Sequence, residues 1–269
     1  MEKLNLYSLF RICLKAGKAI LAVYGRDFDV AYKEDDSPVT QADERSHQVI
    51  VQGLKQLTPD IPILSEEGRH IPYDERKRWE RFWLVDPLDG TKEFVKKNGE
   101  FTINIALIER KYPLLGVIYA PVLDTFYFGV VGKGAYKLEQ ASTVEVKDEV
   151  SLLDQSTPLP EAGEKRNIRV AASRSHRSAE TDAFIQTLEE KHGPVEVISA
   201  GSSLKFCLVA EGKADYYPRF APTMEWDTGA GQPIVEAAGG KVIRHEDQKR
   251  FDYNQENLLN GWFLVSRNA

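Results

Sequence analysis

Between Leu6 and Tyr24 apolar residues recur every three to four positions, through Leu9, Phe10, Cys13, Ala16 and Ile20, and the pattern stops at Gly25. That spacing predicts an amphipathic helix over 4–24 closed by a glycine. A turn is predicted over 35–38. A second helix is predicted over 40–57, with Thr40 as N-cap, Asp43 three residues on as its capping-box partner, and Thr58-Pro59 beyond the end. Two short apolar runs, 61–64 and 82–85, read as buried strands. From Phe101 the pattern changes to β: the runs 101–108, 114–120 and 125–131 are rich in β-branched and aromatic residues and joined by short turns. Such a series predicts an antiparallel meander.

Residues 137–167 are polar and acidic and broken by Pro158 and Pro160. They read as the boundary between an α+β domain over 1–136 and an α/β domain over 165–269. In the second half, strands over 168–172, 195–199, 215–218 and 241–244 alternate with helices over 179–191 and 204–211 and with one running from Asp227 to Gly239-Gly240. This is α/β layering. Gly229, Gly231 and Pro233 predict a loosened helix just after Asp227, since glycine weakens a helix and proline removes a hydrogen bond.

Composition narrows the class. The 269 residues, 42% hydrophobic and 28% charged, suit a globular chain with a large core. A net charge of −6 argues against a nucleic-acid backbone as partner. The only cysteines, Cys13 and Cys207, both fall in apolar helical patterns and read as core residues in a reducing compartment. Arg11, Lys15 and Lys18 interrupt any signal-peptide core, and no run approaches the ~20 apolar residues of a membrane span, so a cytoplasmic location is expected. The basic cluster Arg76-Lys-Arg78 with Arg81 reads as a solvated face; peripheral contact with an anionic membrane surface is the lesser alternative.

The candidate chemistry lies in Asp86-Pro-Leu-Asp-Gly-Thr91, between an apolar strand and a helix-compatible Thr91–Val95. A turn there would aim both carboxylates and the Gly90 and Thr91 amides at one point. Carboxylates gather hard divalent cations and free amides favour phosphate oxygens, so the string suits metal-assisted phosphoryl chemistry. A D-P-x-D-G string is also ordinary turn chemistry. Asp86 and Asp89 have two residues between them, which disfavours the D-x-D arrangement of haloacid-dehalogenase-type phosphatases. Three further acidic positions join them: Glu66-Glu67 after a strand, Asp43, and Asp227 after Trp226. Each has a plainer explanation. Asp43 and Asp227 could only cap their helices, worth roughly 1 kcal/mol, and Glu66-Glu67 could be a solvated loop.

Taken together, Ile63-Leu-Ser-Glu-Glu67, Trp83-Leu-Val-Asp-Pro-Leu-Asp-Gly-Thr91, and Trp226-Asp-Thr228 with Ala237-Ala-Gly-Gly240 resemble the lithium-sensitive, magnesium-dependent phosphatases of the inositol monophosphatase superfamily. Asn98-Gly-Glu-Phe-Thr102, Ser173-Arg-Ser-His176 and Gly201-Ser-Ser-Leu-Lys-Phe206 resemble its bacterial 3′(2′),5′-bisphosphate nucleotidase branch. The resemblance implies an α+β fold, a layered αβαβα sandwich of the inositol monophosphatase and fructose-1,6-bisphosphatase type. It implies Mg²⁺ held by Glu66, Asp86, Asp89, Asp227 and the Leu88 carbonyl. It makes Thr91, oriented by Asp43, the activator of the attacking water, with Glu66 assisting. Gly90 and Thr91 would hold the phosphate, and Ser173, His176, Ser203, Lys205 and Arg219 would contact the nucleotide. The implied substrate is adenosine 3′,5′-bisphosphate, cleaved to AMP and phosphate in sulfur assimilation. An inositol- or sugar-phosphate phosphatase and a non-catalytic nucleotide sensor remain the alternatives.

Overall fold

The computed structural model describes residues 5–26, 30–32, 38–161, 167–173 and 178–267. The turn expected over 35–38 lies largely outside them, as does His176. Strands from the first half form a seven-stranded sheet in chain order: Ile63–Ser65, Arg81–Asp89, Thr102–Glu109, Tyr112–Ala120, Thr125–Val130, Gly134–Glu139 and Thr157–Leu159. All its pairings are antiparallel except the first. The expected meander is therefore present. Its central strands are continuous apolar runs because both faces are covered. Trp83 and Val85 face the Leu6–Tyr24 and Gln41–Leu57 helices, sharing a core with Phe10, Cys13, Ile20 and Leu54. Phe82 and Leu84, one pleat out of phase, join the opposite core with Phe206, Ile234 and Phe263.

That second core is made by three helices, Leu204–Glu211, Glu225–Gly229 and Gly231–Ala237, lying under a five-stranded sheet. The strands of that sheet run Glu196–Ala200, Arg169–Ser173, Tyr216–Arg219, Phe263–Ser266 and Lys241–Arg244. Ile185 and Leu188 of the Ala179–His192 helix cover its outer face through Val170, Val197 and Tyr216. The order helix, sheet, helix, sheet, helix is the expected αβαβα sandwich.

Three expectations change. The polar stretch after residue 136 completes the first sheet with Gly134–Glu139 and Thr157–Leu159, and caps a short helix at Asp148. Its charge is compatible with burial because Lys137 sits among Glu139, Glu161 and Glu211 and Tyr127 donates to Glu211 at 2.6 Å. The basic cluster is a solvated face only in part, since Lys77 and Arg78 are exposed but Arg76 is not. Arg76 is only 2% exposed, and its guanidinium donates to the carbonyls of Ile71, Gln255 and Glu256 and to Asn254 Oδ1. Lys77 pairs with Asp74 and Arg81 with Glu109. Among the described residues no helix is long and apolar enough to cross a membrane.

The helix after Asp227 is interrupted where the glycines and proline fall, as expected, but it is closely packed. It is two helices that meet at Ala230, and the glycines there permit close packing. A Cβ on Gly231 would lie 2.3 Å from the Phe206 ring, and one on Gly116 of the facing strand would lie 2.2 Å from the Ala230 carbonyl oxygen. Gly229, where a Cβ would lie 2.7 Å from Leu84, lets the helix that carries Asp227 pack closely on the strand that carries Asp86 and Asp89.

Candidate active site

Asp86 and Asp89 do not lie in a simple turn. The strand runs on through both, and between them its register against Thr102–Glu109 shifts: Asp86 faces Asn104 and Asp89 faces Thr102. One extra residue in the strand is a β-bulge, and Pro87, which has no N–H for the ladder, sits in it. The bulge has a chemical consequence. Residues three apart in a regular strand point to opposite faces, whereas the extra residue returns Asp89 to the face that carries Asp86. Ser46 of the Gln41–Leu57 helix pins it by donating to the Pro87 carbonyl at 2.7 Å. The strand then ends at Gly90, whose φ of +94° only glycine adopts cheaply, and Thr91–Val95 turns away as a helix.

Asp227 comes from the other half, in the first turn of Glu225–Gly229, where its Oδ2 accepts the Met224 N–H at 2.8 Å. One carboxylate oxygen from each of Asp86, Asp89 and Asp227 falls within 4.8 Å of the others. Asp86 is almost wholly buried and accepts the Leu88 N–H at 3.0 Å. Burial pushes the Asp86 and Asp227 carboxyls well above the usual range, and the neighbouring carboxylates, Glu66 among them, push the same way. Asp89 is raised too, mainly by burial, against hydrogen bonds from Ser203 at 2.7 Å and Asn104 at 3.2 Å. Acceptor-only oxygens packed this closely are a site that can hold a metal ion.

Beside them stands a hydroxyl–carboxylate pair. Thr91 Oγ1 donates to Asp43 Oδ1 at 3.2 Å, while Asp43 Oδ2 accepts from Thr40 N–H at 2.8 Å and Thr40 Oγ1 at 2.7 Å. The capping box expected of Asp43 is real and occupies one oxygen; the other reaches Thr91. Asp43 is buried, and burial raises its pKa against the lowering effect of the Thr40 bonds.

A cavity of ~370 Å³ gathers nearly all the sequence candidates: Glu66, Asp86, Leu88, Asp89, Gly90, Thr91, Ser173, Ser203, Lys205, Arg219 and Asp227. Asp43 lies behind Thr91. Glu66 lines the cavity outside the cluster of three. Ser203 and Lys205 are placed more deeply than surface contacts would be. Ser203 Oγ is within reach of both Asp89 Oδ2 and the Asp227 carbonyl, at 2.9 Å. Lys205 is 4% exposed, and its ammonium donates to the Ala200 and Ser202 carbonyls beside the Tyr217 ring. Burial lowers its pKa to about 8. Arg219 donates to the Pro222 carbonyl, and its Nε is buried without a hydrogen-bond partner among the described residues.

Sequence reasoning missed Ser46, Asn104 and Glu225. Asn104 Nδ2 donates to both Asp89 and Ser203, tying the two halves together. A lone asparagine inside the apolar run 101–108 was its available signal. Glu225 accepts the Asn254 and Gln255 N–H groups, and with Arg76 it clamps 254–256 next to the Asp227 helix.

A profile of the inositol monophosphatase family matches residues 5–262. The chain belongs to that family. It is 48% identical over 260 residues to the 3′(2′),5′-bisphosphate nucleotidase CysQ of Salmonella typhimurium, covering 95% of this chain and 97% of that one. The crystal structure of CysQ from Bacteroides thetaiotaomicron superposes with a TM-score of 0.90 at 46% identity, over 99% of both chains. An inositol monophosphatase family enzyme of Thermotoga maritima, an IMPase, shares the fold at TM-score 0.73 and 23% identity, over 97% of this chain and 91% of that one.

Proposed function

We propose that this chain is a Mg²⁺-dependent 3′(2′),5′-bisphosphate nucleotidase that removes the 3′-phosphate of adenosine 3′,5′-bisphosphate, yielding AMP and phosphate, in the cytoplasm and in sulfur assimilation. The observation that carries the reading is the Thr91–Asp43 pair set beside three carboxylates in one cavity. The 48% identity to a nucleotidase across 95% of the chain supports the substrate, and the two free, buried thiols suit the compartment.

The donor set fits the ion. Asp86, Asp89 and Asp227, with Glu66 and the Leu88 carbonyl, offer only hard oxygens, and Mg²⁺ prefers a few carboxylates shared with substrate phosphate and water. When bound, such ions lower the pKa of a coordinated water and neutralise charge on phosphate oxygens. The remaining work falls to the chain. Thr91 commits its hydroxyl hydrogen to Asp43, which leaves the Oγ1 lone pairs to accept from a water in the cavity. As that water attacks phosphorus, its proton moves to Oγ1 and the threonine's own proton to Asp43. The bond from phosphorus to the ribose 3′ oxygen breaks, and that oxygen takes a proton from solvent water to leave as the 3′-hydroxyl. Burial suits Asp43 to the task by raising its affinity for a proton. Gly90 and Thr91 amides face the phosphate, and Glu66 helps to orient the water. Ser173 and Arg219 contact the rest of the nucleotide, while Lys205 holds the 200–202 backbone and supplies positive potential. His176 remains a proposed nucleotide contact outside the described residues.

Phosphate release from four compounds tests the reading. With Mg²⁺ present, kcat/KM for adenosine 3′,5′-bisphosphate should exceed that for inositol 1-phosphate, fructose 1,6-bisphosphate and AMP. A preference for inositol 1-phosphate would overturn it.

A further inference from the structure

The cavity has an apolar wall that the phosphate chemistry does not use. Leu259 lines it and is 49% exposed, whereas the aromatic rings around that wall, Tyr217 and Phe263, are buried. A single exposed leucine on an outer surface means little, but this one faces the same cavity as the carboxylates. Its backbone is held firmly. The strand Leu259–Asn260 pairs with Thr223–Met224, with Leu259 opposite Met224, and the Met224 N–H is the group that donates to Asp227. Asn260 Nδ2 locks the arrangement by donating to the Met224 carbonyl at 2.7 Å, with Thr223 and Thr228 hydroxyls close by. The Leu259 backbone is therefore held one ladder step from the helix that carries Asp227.

We infer that Leu259, which shares the cavity lining with Pro222, is a specificity-determining residue: a ledge that takes the flat apolar face of the substrate's nucleobase. The inference rests on the nucleotidase reading. Of the substrate's parts, the phosphates and ribose need polar partners, which the carboxylate cluster, Gly90, Thr91 and Arg219 supply on the remaining walls. The base is the one part with an apolar face. Inositol and small sugar phosphates have hydroxyls all round and gain nothing from a leucine. A half-exposed leucine closed over by a base would lose solvent contact on binding, which favours the nucleotide.

The test compares adenosine 3′,5′-bisphosphate with ribose 3,5-bisphosphate, which lacks the base, on wild-type, Leu259→Ser and Leu259→Met enzymes. Wild type should prefer the nucleotide. Leu259→Ser should lower kcat/KM for the nucleotide about 5- to 10-fold, through KM with kcat held, because a ground-state contact is lost. The same variant should handle the base-free substrate like wild type, and Leu259→Met should keep the preference. A wild type that prefers the nucleotide while Leu259→Ser leaves the ratio of the two substrates unchanged overturns the ledge and spares the nucleotidase reading. A wild type that hydrolyses neither bisphosphate overturns both.

Discussion

Ser203 Oγ lies 2.7 Å from Asp89 Oδ2 and 2.9 Å from the carbonyl oxygen of Asp227, so one hydroxyl ties the carboxylate of the first half to the helix start of the second. Asn104 donates to that same hydroxyl at 2.9 Å. The cluster is thus assembled across the interface by neutral donors that leave its negative charge intact. Ser203→Ala should raise the Mg²⁺ concentration needed for half-maximal rate about 10-fold or more, while kcat at saturating Mg²⁺ stays near wild type. Partners of metal ligands typically affect metal affinity on that scale. A metal titration of the rate checks this; an unchanged midpoint would show that Asp89 is held without Ser203.

Thr91→Ala removes the hydroxyl between cavity and Asp43. The expected outcome is a fall in kcat on the order of 10²–10⁴-fold, the usual range for a lost general acid–base group, with the Mg²⁺ midpoint little changed. Thr91→Ser should recover much of the rate. Asp43→Asn should match Thr91→Ala in kcat. Wild-type turnover in Thr91→Ala would transfer water activation to Glu66.

Gly231 is fixed by sterics. Gly231→Ala places a methyl 2.3 Å from the Phe206 ring, too close to be absorbed without backbone movement. Overpacking of this kind costs roughly 1–3 kcal/mol, and because the helix carrying Asp227 ends two residues earlier, the Mg²⁺ midpoint should worsen as well. Denaturant unfolding and the metal titration measure the two effects. Unchanged stability would mean that the ring moves freely.

Acidity offers a further check. Folding raises the pKa of Asp43, Asp86, Asp89 and Asp227, and takes Glu225 to about 7, each chiefly by burial. A carboxyl that binds its proton more tightly when folded stabilises the fold below its unfolded pKa, about 4, and that contribution is lost as pH rises through the folded value. His47 and Lys205, both lowered by burial, work the other way but are two groups against five. Metal-free protein should therefore melt at lower temperature at pH 7.5 than at pH 5. Adding Mg²⁺ at pH 7.5 should restore much of the difference, since the ion binds the ionised carboxylates. A metal-free Tm that rises with pH over this interval would contradict the burial described here.

Most of the fold was legible because its elements announce themselves locally. Thr40 and Asp43 cap the Gln41–Leu57 helix as expected, and Leu204–Glu211 and Lys241–Arg244 match their predicted bounds. The Phe263–Ser266 strand was overlooked, although it lies inside the second sheet between Tyr216–Arg219 and Lys241–Arg244; its partners are set by chain topology, and its own short apolar run does not name them. The site was legible as a list of acidic residues and much less as geometry. The spacing of Asp86 and Asp89 suggested a turn, because nothing local in the chain indicates that the strand continues and takes up a bulge against Asn104 and Thr102. Arg76 misled for a related reason: its neighbours in sequence are basic and exposed, whereas its partners, 254–256, are ~180 residues away.

The central claim is metal-dependent removal of one particular phosphate, and product identity tests it most directly. Adenosine 3′,5′-bisphosphate would be incubated with the enzyme, with Mg²⁺ or with chelator, and the nucleotide product separated by chromatography. The account predicts adenosine 5′-monophosphate with one equivalent of phosphate when Mg²⁺ is present, and intact substrate in chelator. Adenosine 3′-monophosphate as product, or equal turnover in chelator, would contradict it.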